Sequence, residues 1–342
     1  MLQPTLSLIL GNLQYETHVI ACDVTLGLLP HINHATVALP AGVELTAGVG
    51  DGATLDVQSD GDMTRVLTGN IGRIERRFHT VEALLVDGGH GLAHTRIAAT
   101  YEGQDGGNVI RHLARDAGVE TGAIDATLPL VNYVAHQNAT AAEHVARVAA
   151  LSGCMAHFGD DGRLQVATRP TGQPDVALRY GRELMHYAAR EAPPPAAQLV
   201  LTGNGPAGNP AEPGATRHST TRLPASAPDP SPTARHVPTP LLKLPTAAVS
   251  AGQAVNRARA AASRELTASC FLLPQIRPGQ VLQVQALPDG LPEGPWLVTR
   301  VRHRLHGQRS GQTVIDAELA DLAAFGLDAL LGAALDFAGG LL

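Results

Sequence analysis

Residues 51–61 read DGATLDVQSDG and residues 278–290 read PGQVLQVQALPDG, so a turn glycine, then Leu, Val and Gln at the same offsets, then an Asp/Gly turn occur twice in one chain of 342 residues. Gly52 and Gly279 stand 279 − 52 = 227 positions apart. The match runs past the first strand. GATLDVQ, RVLTGNIGRIERRF and TVEALL follow one another in the earlier copy, and GQVLQVQ, PWLVTRVRHRL and TVIDAEL in the later one. Leu55 aligns with Leu282, Val57 with Val284, Gln58 with Gln285, Leu67 with Leu297, Ile71 with Val301, and Thr80-Val81 with Thr313-Val314. Period-two alternation between glycine turns is the pattern of antiparallel strands with one buried face. Unrelated meanders share that pattern, but three strands recurring in the same order point to a duplication. A subunit with two like modules presents two near-equivalent surfaces, and three subunits then present six.

The rest of the chain divides around these copies. Residues 1–98 carry TLSLIL, ATVAL, ATLDVQ, TRVLTGNIGRIERRF, TVEALLV and HTRIAAT between Gly, Asp and Asn turns, which predicts a first tube-like β-barrel. Residues 99–190 predict an α+β domain. In 104–118, Val109, Ile110, Leu113, Ala114 and Ala117 make a helical stripe ended by Gly118, while Thr140 and Glu143 form a capping box for a second helix. CMAHFGDDGRLQVATRP then reads as a hairpin turning at DDG. Residues 191–248 read as a proline-rich arm or linker, since 192–240 hold 12 of the chain's 24 prolines and only one strand-like run, AQLVLTG. Residues 249–321 predict a helix from about 251 to 267, opened by a Ser250/Gln253 capping box, and then a second tube-like β-barrel. Residues 322–342 predict an apolar helix or tail, with Leu327, Leu330, Leu331, Ala334, Leu335 and Ala338 at helical spacing.

Composition narrows the function classes. The formal charge is −6 with acids and bases interleaved, and Lys243 is the single lysine, so specific nucleic-acid binding is not expected. Cys22, Cys154 and Cys270 are odd in number, widely spaced and set among apolar neighbours, and read as buried hydrophobes made in a reducing cytoplasm. The start, MLQPTLSLILGN, lacks a basic n-region and reads as a strand, not a signal peptide. No run approaches the roughly 20 apolar residues of a membrane span, so no membrane anchor is expected.

Chemistry-bearing motifs are sparse. His90 and His94 in GHGLAH and His31 and His34 in HINH have pair spacings of metal ligands, but no HEXXH or neighbouring carboxylate completes either set. His303 and His306 in RVRHRLH fall on opposite sides of a strand. Glu75 and Asp87 form a nominal carboxylate pair, yet aromatics at 3% leave few platforms for sugar stacking. There is no G-x-S-x-G and no phosphate loop. Asn138-Ala-Thr140 matches a glycosylation acceptor and reads better as a helix start. Trp296, the lone tryptophan, reads as core. No catalytic, cofactor-binding or metal residue is expected, and the chain does not read as an enzyme.

SDGDMTRVLTGNIGRIERRF with TRIAATYEGQDGGNVIRHLARDAGV, then NYVAHQNATAAEHVARVAALSGCMAHFGDDGRLQVA, then IRPGQVLQVQALPDGLPEGPWLVTRVRHRLHGQRSGQTVIDAEL, stand in an order that resembles the late control D hub proteins of contractile phage tails. Those hubs are related to the hub part of type VI secretion spike proteins. The resemblance implies a mainly β fold with an α+β insertion, two tube-like barrels per subunit, and a homotrimeric ring with pseudo-sixfold symmetry. It implies a virion or injection-particle baseplate location and a symmetry adaptor between a threefold spike protein and a sixfold inner tube or tube-initiator protein, contacted by baseplate wedge proteins. The chain ends before any β-helix spike, so the spike is expected as a separate protein. It departs from the family in the Ala-rich stretch Ala141–Ala150 and in the proline-rich arm. The competing classes are a particle-borne effector or metal-dependent hydrolase using His90 and His94, and a tail tube terminator of the same barrel fold.

Overall fold

The computed structural model describes residues 4–59, 61–170, 173–192, 199–203, 219–221, 235–307 and 310–320. The tail expected at 322–342 and most of the proline-rich stretch lie outside these residues.

The first module contains β1 (Thr5–Leu10), β2 (Leu13–Tyr15), β3 (Ala21–Gly27), β4 (His34–Pro40), β5 (Gly52–Gln58), β6 (Thr64–Arg76) and β7 (Thr80–Val86). Strict alternation makes these strands: Ala53, Leu55 and Val57 of β5 are buried, while their neighbours face outward. The strands pair in the order β3-β4-β7-β6-β5-β1-β2. Leu8 and Leu10 of β1 nevertheless share one core with Cys22, Val24 and Leu26 of β3, at the opposite end of that order. A flat sheet cannot bring its two ends to one core, so the sheet is rolled.

The α+β unit follows: α1 (Gly89–His94), β8 (Ala99–Asp105), α2 (Gly106–Asp116), β9 (Thr121–Ile124), β10 (Pro129–Ala135), α3 (Ala141–Leu151), β11 (Cys154–Phe158) and β12 (Leu164–Thr168). Asp105 caps α2 by accepting from the Asn108 N–H, and the buried stripe is Val109, Ile110, Leu113 and Ala114, as the spacing predicts. Thr140 and Glu143 form the reciprocal capping box of α3, which places the nominal glycosylation site at a helix start. The expected DDG hairpin is β11 and β12, with Gly162 at φ +78. HTRIAAT is not one strand. His94 ends α1, and β8 begins only at Ala99.

The remaining elements are β13 (Val176–Arg179), β14 (Leu184–Glu191), β15 (Leu199–Gly203), β16 (Ser219–Thr221), β17 (Arg235–Pro238), α4 (Pro245–Ala261), β18 (Arg264–Phe271), β19 (Val281–Gln285), β20 (Trp296–His306) and β21 (Ser310–Leu319). α4 differs from the expected 251–267. Pro245 supplies a pre-set φ in its first turn, so the helix starts before the Ser250/Gln253 motif. It ends at Ala261, and residues 264–271 extend as β18. β15 is not a free arm either, because Leu199 and Leu201 enter the core of the α+β unit beside Ala247, Ala248 and Ala251 of α4.

The second module pairs as β13-β19-β20-β21-β18-β14, and a bridge between Tyr180 and Leu184 joins its first strand to its last. β13 and all but the last residue of β14 lie within the 99–190 segment, yet the two strands hydrogen-bond to β19 and β18. Trp296 is fully buried among Leu282, Val284, Val298, Val301 and Ile315. The two modules share one antiparallel ladder, in which β20 pairs with β3 from Arg300–Gly27 to His306–Ala21. The fold is therefore mainly antiparallel β with few helices. No described helix is long and apolar enough to cross a membrane.

The repeat is visible in the pairing. β5-β6-β7 and β19-β20-β21 are both antiparallel meanders, and the middle strand bulges between Ile71 and Arg73 in one and between Val298 and Arg300 in the other. Aligned on the bulges, Gly69 matches Trp296; Gly69 pairs with Ala53 and Trp296 with Leu282. Ala53 therefore stands where Leu282 does, whereas the sequence alignment sets Leu55 against Leu282. In β5 the slip is 55 − 53 = 2 residues, which keeps each side chain on its face and leaves the alternation blind to it; in β6 it is 301 − 298 = 3, since Ile71 matches Val298 on the bulges and Val301 in the sequence.

Gly69 has no room for a side chain, since an added Cβ would lie 2.0 Å from the Val86 carbonyl oxygen. Gly69→Ala is expected to cost about 2 kcal/mol or more, seen as a lower denaturation midpoint with unchanged slope. Gly42→Ala, in open space, is the control.

Candidate functional site

The members of each histidine pair come together in the fold. His90 and His94 lie on α1 with ring centroids 4.1 Å apart. Nδ1–H of His94 donates to the His90 carbonyl oxygen at 2.9 Å, which ties one ring to the helix backbone. Burial, then the neighbouring His94, lowers the His90 pKa. His31 and His34 sit in the β3–β4 turn at 6.0 Å between centroids, and Nδ1–H of His34 donates to the Ile32 carbonyl oxygen. The His31 pKa is lowered by burial first, then by His34, Arg300 and Arg302; two arginines facing a pair disfavour a divalent cation there. Among the described residues, no group of three His, Cys, Asp or Glu side chains is placed to hold a metal.

The carboxylates separate. Glu75 stands opposite Glu82, at the hairpin end of β6 and β7. Asp87 follows the other end of β7, so the two are about 15 Å apart along the strands, beyond the spacing of a glycosidase pair. Asp87 has a structural role at the start of α1. Its Oδ1 accepts the Gly89 N–H at 2.8 Å and its side chain pairs with Asn33, which in turn accepts the Gly27 N–H. Burial pushes its pKa up to about 7 against those hydrogen bonds. The three cysteines are buried and free, and burial raises all three thiols, so none has the character of a nucleophile.

His303 and His306 part as the strand alternation predicts. His306 is exposed, whereas His303 is fully buried, with Nδ1 3.0 Å from Thr313 Oγ1. Burial, then Arg277, pushes its pKa down to about 3. Tyr133, likewise buried, meets His144 Nδ1 at 2.7 Å, and His144 Nε2 bonds the His136 carbonyl oxygen at 3.0 Å. These contacts satisfy polar groups inside a packed core.

The described surface carries exposed apolar side chains and a groove. Phe78 is 90% exposed at the β6–β7 turn, where Arg77 clamps Glu75 and Glu82 at 3.0 Å each. Tyr180, Met185 and Phe271 are exposed beside the seam that closes the second module. A groove of about 320 Å³ lies on the β3/β4/β20 face, bordered by Asp23, Thr36, Glu82 and Arg304. None of these was legible beforehand, because an outward Phe in a strand pattern looks like any other alternating residue.

No protein-family model and no curated protein sequence matches the chain. Solved structures do. A 43 kDa tail protein of prophage MuSo2 from Shewanella oneidensis is 15% identical, with a TM-score of 0.68 over 92% of this chain and 98% of the other. A tail protein from Neisseria meningitidis MC58 is 13% identical, with a TM-score of 0.69 over 93% and 96%. An Escherichia coli component of the type VI secretion system, itself described as structurally similar to the phage T4 tail proteins gp27 and gp5, is 11% identical, with a TM-score of 0.61 over 91% and 76%. The chain shares the fold of these tail and secretion proteins along nearly all of its length.

Asp87 gives a pH test of its place in the core. Its folded pKa lies above the unfolded carboxylate value, so its contribution is fully present below about pH 4 and is lost as pH rises through 7. Chemical denaturation across that window is expected to show wild type losing up to about 4 kcal/mol relative to Asp87→Asn, at 1.36 kcal/mol per pKa unit.

Proposed function

We propose that the chain is a structural, non-enzymatic hub subunit in the baseplate of a contractile tail or injection particle, and that it works as a homotrimer. One observation carries the reading: two β modules with the same bulged three-strand meander are held edge to edge by a single ladder. Three such subunits offer six similar modules, which is what a threefold spike must meet to join a sixfold inner tube. The modules flank an α+β unit that fixes their spacing, and this division into two tube-like domains and an insertion is part of the proposal. The solved tail and secretion proteins with the same fold support it, since they match across both modules and not one alone.

The partners on this reading are two further copies of the chain, a separate spike protein, the inner tube or its initiator, and wedge proteins at the periphery. Residues 276–306 are a contact region, and a stable ring needs a largely apolar interface above about 2,000 Å². The mechanism is positional, leaving an axial passage that the spike closes until firing.

Native mass measurement of the full chain at micromolar concentration, alone and with its spike partner, is expected to give 3 × 35.6 kDa, about 107 kDa per ring. A hexamer would replace the hub by a tube terminator. A monomer in both conditions overturns the proposal, and stoichiometric zinc in the purified protein would favour the hydrolase reading.

A further inference from the structure

Arg277 lies in the connection between β18 and β19, but its guanidinium belongs to the other module. One Nη group donates to the Val66 carbonyl oxygen at 3.4 Å and the other to that of Arg65, both on β6 and 211 and 212 positions earlier in the chain. Its own N–H donates to Gln280 Oε1 at 2.9 Å, which fixes the base of the side chain. The β11–β12 hairpin closes the third side. Thr68 Oγ1 donates to the Asp160 carbonyl oxygen at 2.6 Å, and a Cβ added at Gly162 would lie 3.2 Å from the Thr68 carbonyl oxygen. Gly279, at φ +93, brings the connection to within 3.8 Å of the His157 ring, measured from the Cβ it lacks. Segments from the first module, the α+β unit and the second module therefore meet around one side chain.

The charged and titratable groups around that guanidinium can be named. β11 contributes His157, its turn Asp160, and β20 His303, while Arg65 of β6 is paired with Asp56 of β5. A guanidinium stays protonated even when burial lowers its pKa, as it does here. Both histidines have lowered pKa values, by burial first and then by Arg277. His157 Nδ1 is buried without a hydrogen-bond partner among the described residues, while His303, bonded to Thr313 through Nδ1, has the Ile276 backbone as its remaining polar neighbour. At neutral pH the junction holds the Arg277 guanidinium facing Asp160, the Arg65–Asp56 pair beside it, and two neutral rings. A proton on either ring would be a further buried cation beside Arg277, on which Asp160 is the acting carboxylate, so protonation favours the parted segments.

We propose that Arg277 is an acid-sensitive latch, holding β6, the β11–β12 hairpin and the β18–β19 connection together at neutral pH and releasing them on acidification while each module stays folded. Release is the cheapest relief because the latch bonds to two main-chain carbonyls, which water can satisfy equally well once the segments part. Interiors, by contrast, would have to unpack.

Hydrogen exchange of the full chain tests this at pH 7.5 and at about pH 5, where histidine charging begins to matter. Corrected for intrinsic rates, peptides covering 64–68 and 274–280 are expected to exchange about tenfold faster at the lower pH, while β18 and β21 keep their protection. The double variant His157→Gln, His303→Gln is expected to flatten that response. Arg277→Met is expected to show the faster exchange already at pH 7.5. Equal protection of the wild type at both pH values overturns the latch, with no variant needed. So does acceleration that persists in the double-histidine variant, or Arg277→Met protection that matches wild type at pH 7.5.

Discussion

The β3–β20 ladder is the constraint on which the architecture depends. Each module has its own core, one built on Leu8, Leu55 and Leu85 and the other on Trp296, Val301 and Ile315. Two rolled sheets with separate cores could sit at any angle on a linker. The ladder removes that freedom by running backbone hydrogen bonds through seven consecutive residue pairs, from Arg300–Gly27 to His306–Ala21. β20 thus serves both modules: with β19 and β21 it completes the second, and with β3 it extends the first. Its side chains show the double duty, since Val298 and Val301 enter one core and Leu305 the other.

Everything else braces that joint. Leu28 lies at its end, donating its N–H to the Thr299 carbonyl oxygen, and the next N–H, of Leu29, goes to Ala156 in the α+β unit. Met155, Val281, Leu297 and Ala320 form a small shared cluster there. Arg169, just past β12, and Glu318 of β21 make a largely buried ion pair across 149 positions of sequence. Such contacts contribute less to stability than the apolar cores. Their effect is to fix geometry, which is what a symmetry adaptor would need.

Much of the first module was readable because its strands bury one face and alternate cleanly, as in HATVALP and GATLDVQ. β3 was not, although it carries the ladder. Cys22, Val24 and Leu26 alternate with Asp23 and Thr25 in the sequence, but a run of that kind does not say that its far edge pairs with β20, where Thr25 and Gly27 are buried as well. The second module was readable as a meander but not as a closed ring, because β13 and β14 come from a segment that follows the α+β hairpin and pairs only with strands about a hundred residues later. Local pattern cannot report such a partner. The same limit explains the shifted register between the copies and the mistaken start of α4, where the true first turn has a proline and an unhelpful Leu244 at the cap. For the sites, the histidine pairs were legible as spacings only, and the short helix that carries His90 and His94 emerged from the fold. Sequence could not reveal Arg277, an ordinary arginine before a Pro-Gly turn until the fold brings β6 to it.

The most direct measurement is the distance distribution between spin labels on exposed residues of the two modules, at Glu16 and Asp289, which leaves the buried native cysteines untouched. A continuous ladder predicts one narrow distance, unchanged by viscosity or by addition of partner proteins. A broad or two-peaked distribution in the isolated chain would mean that the modules pivot, and would contradict the claim that β3 and β20 fuse them into one rigid body.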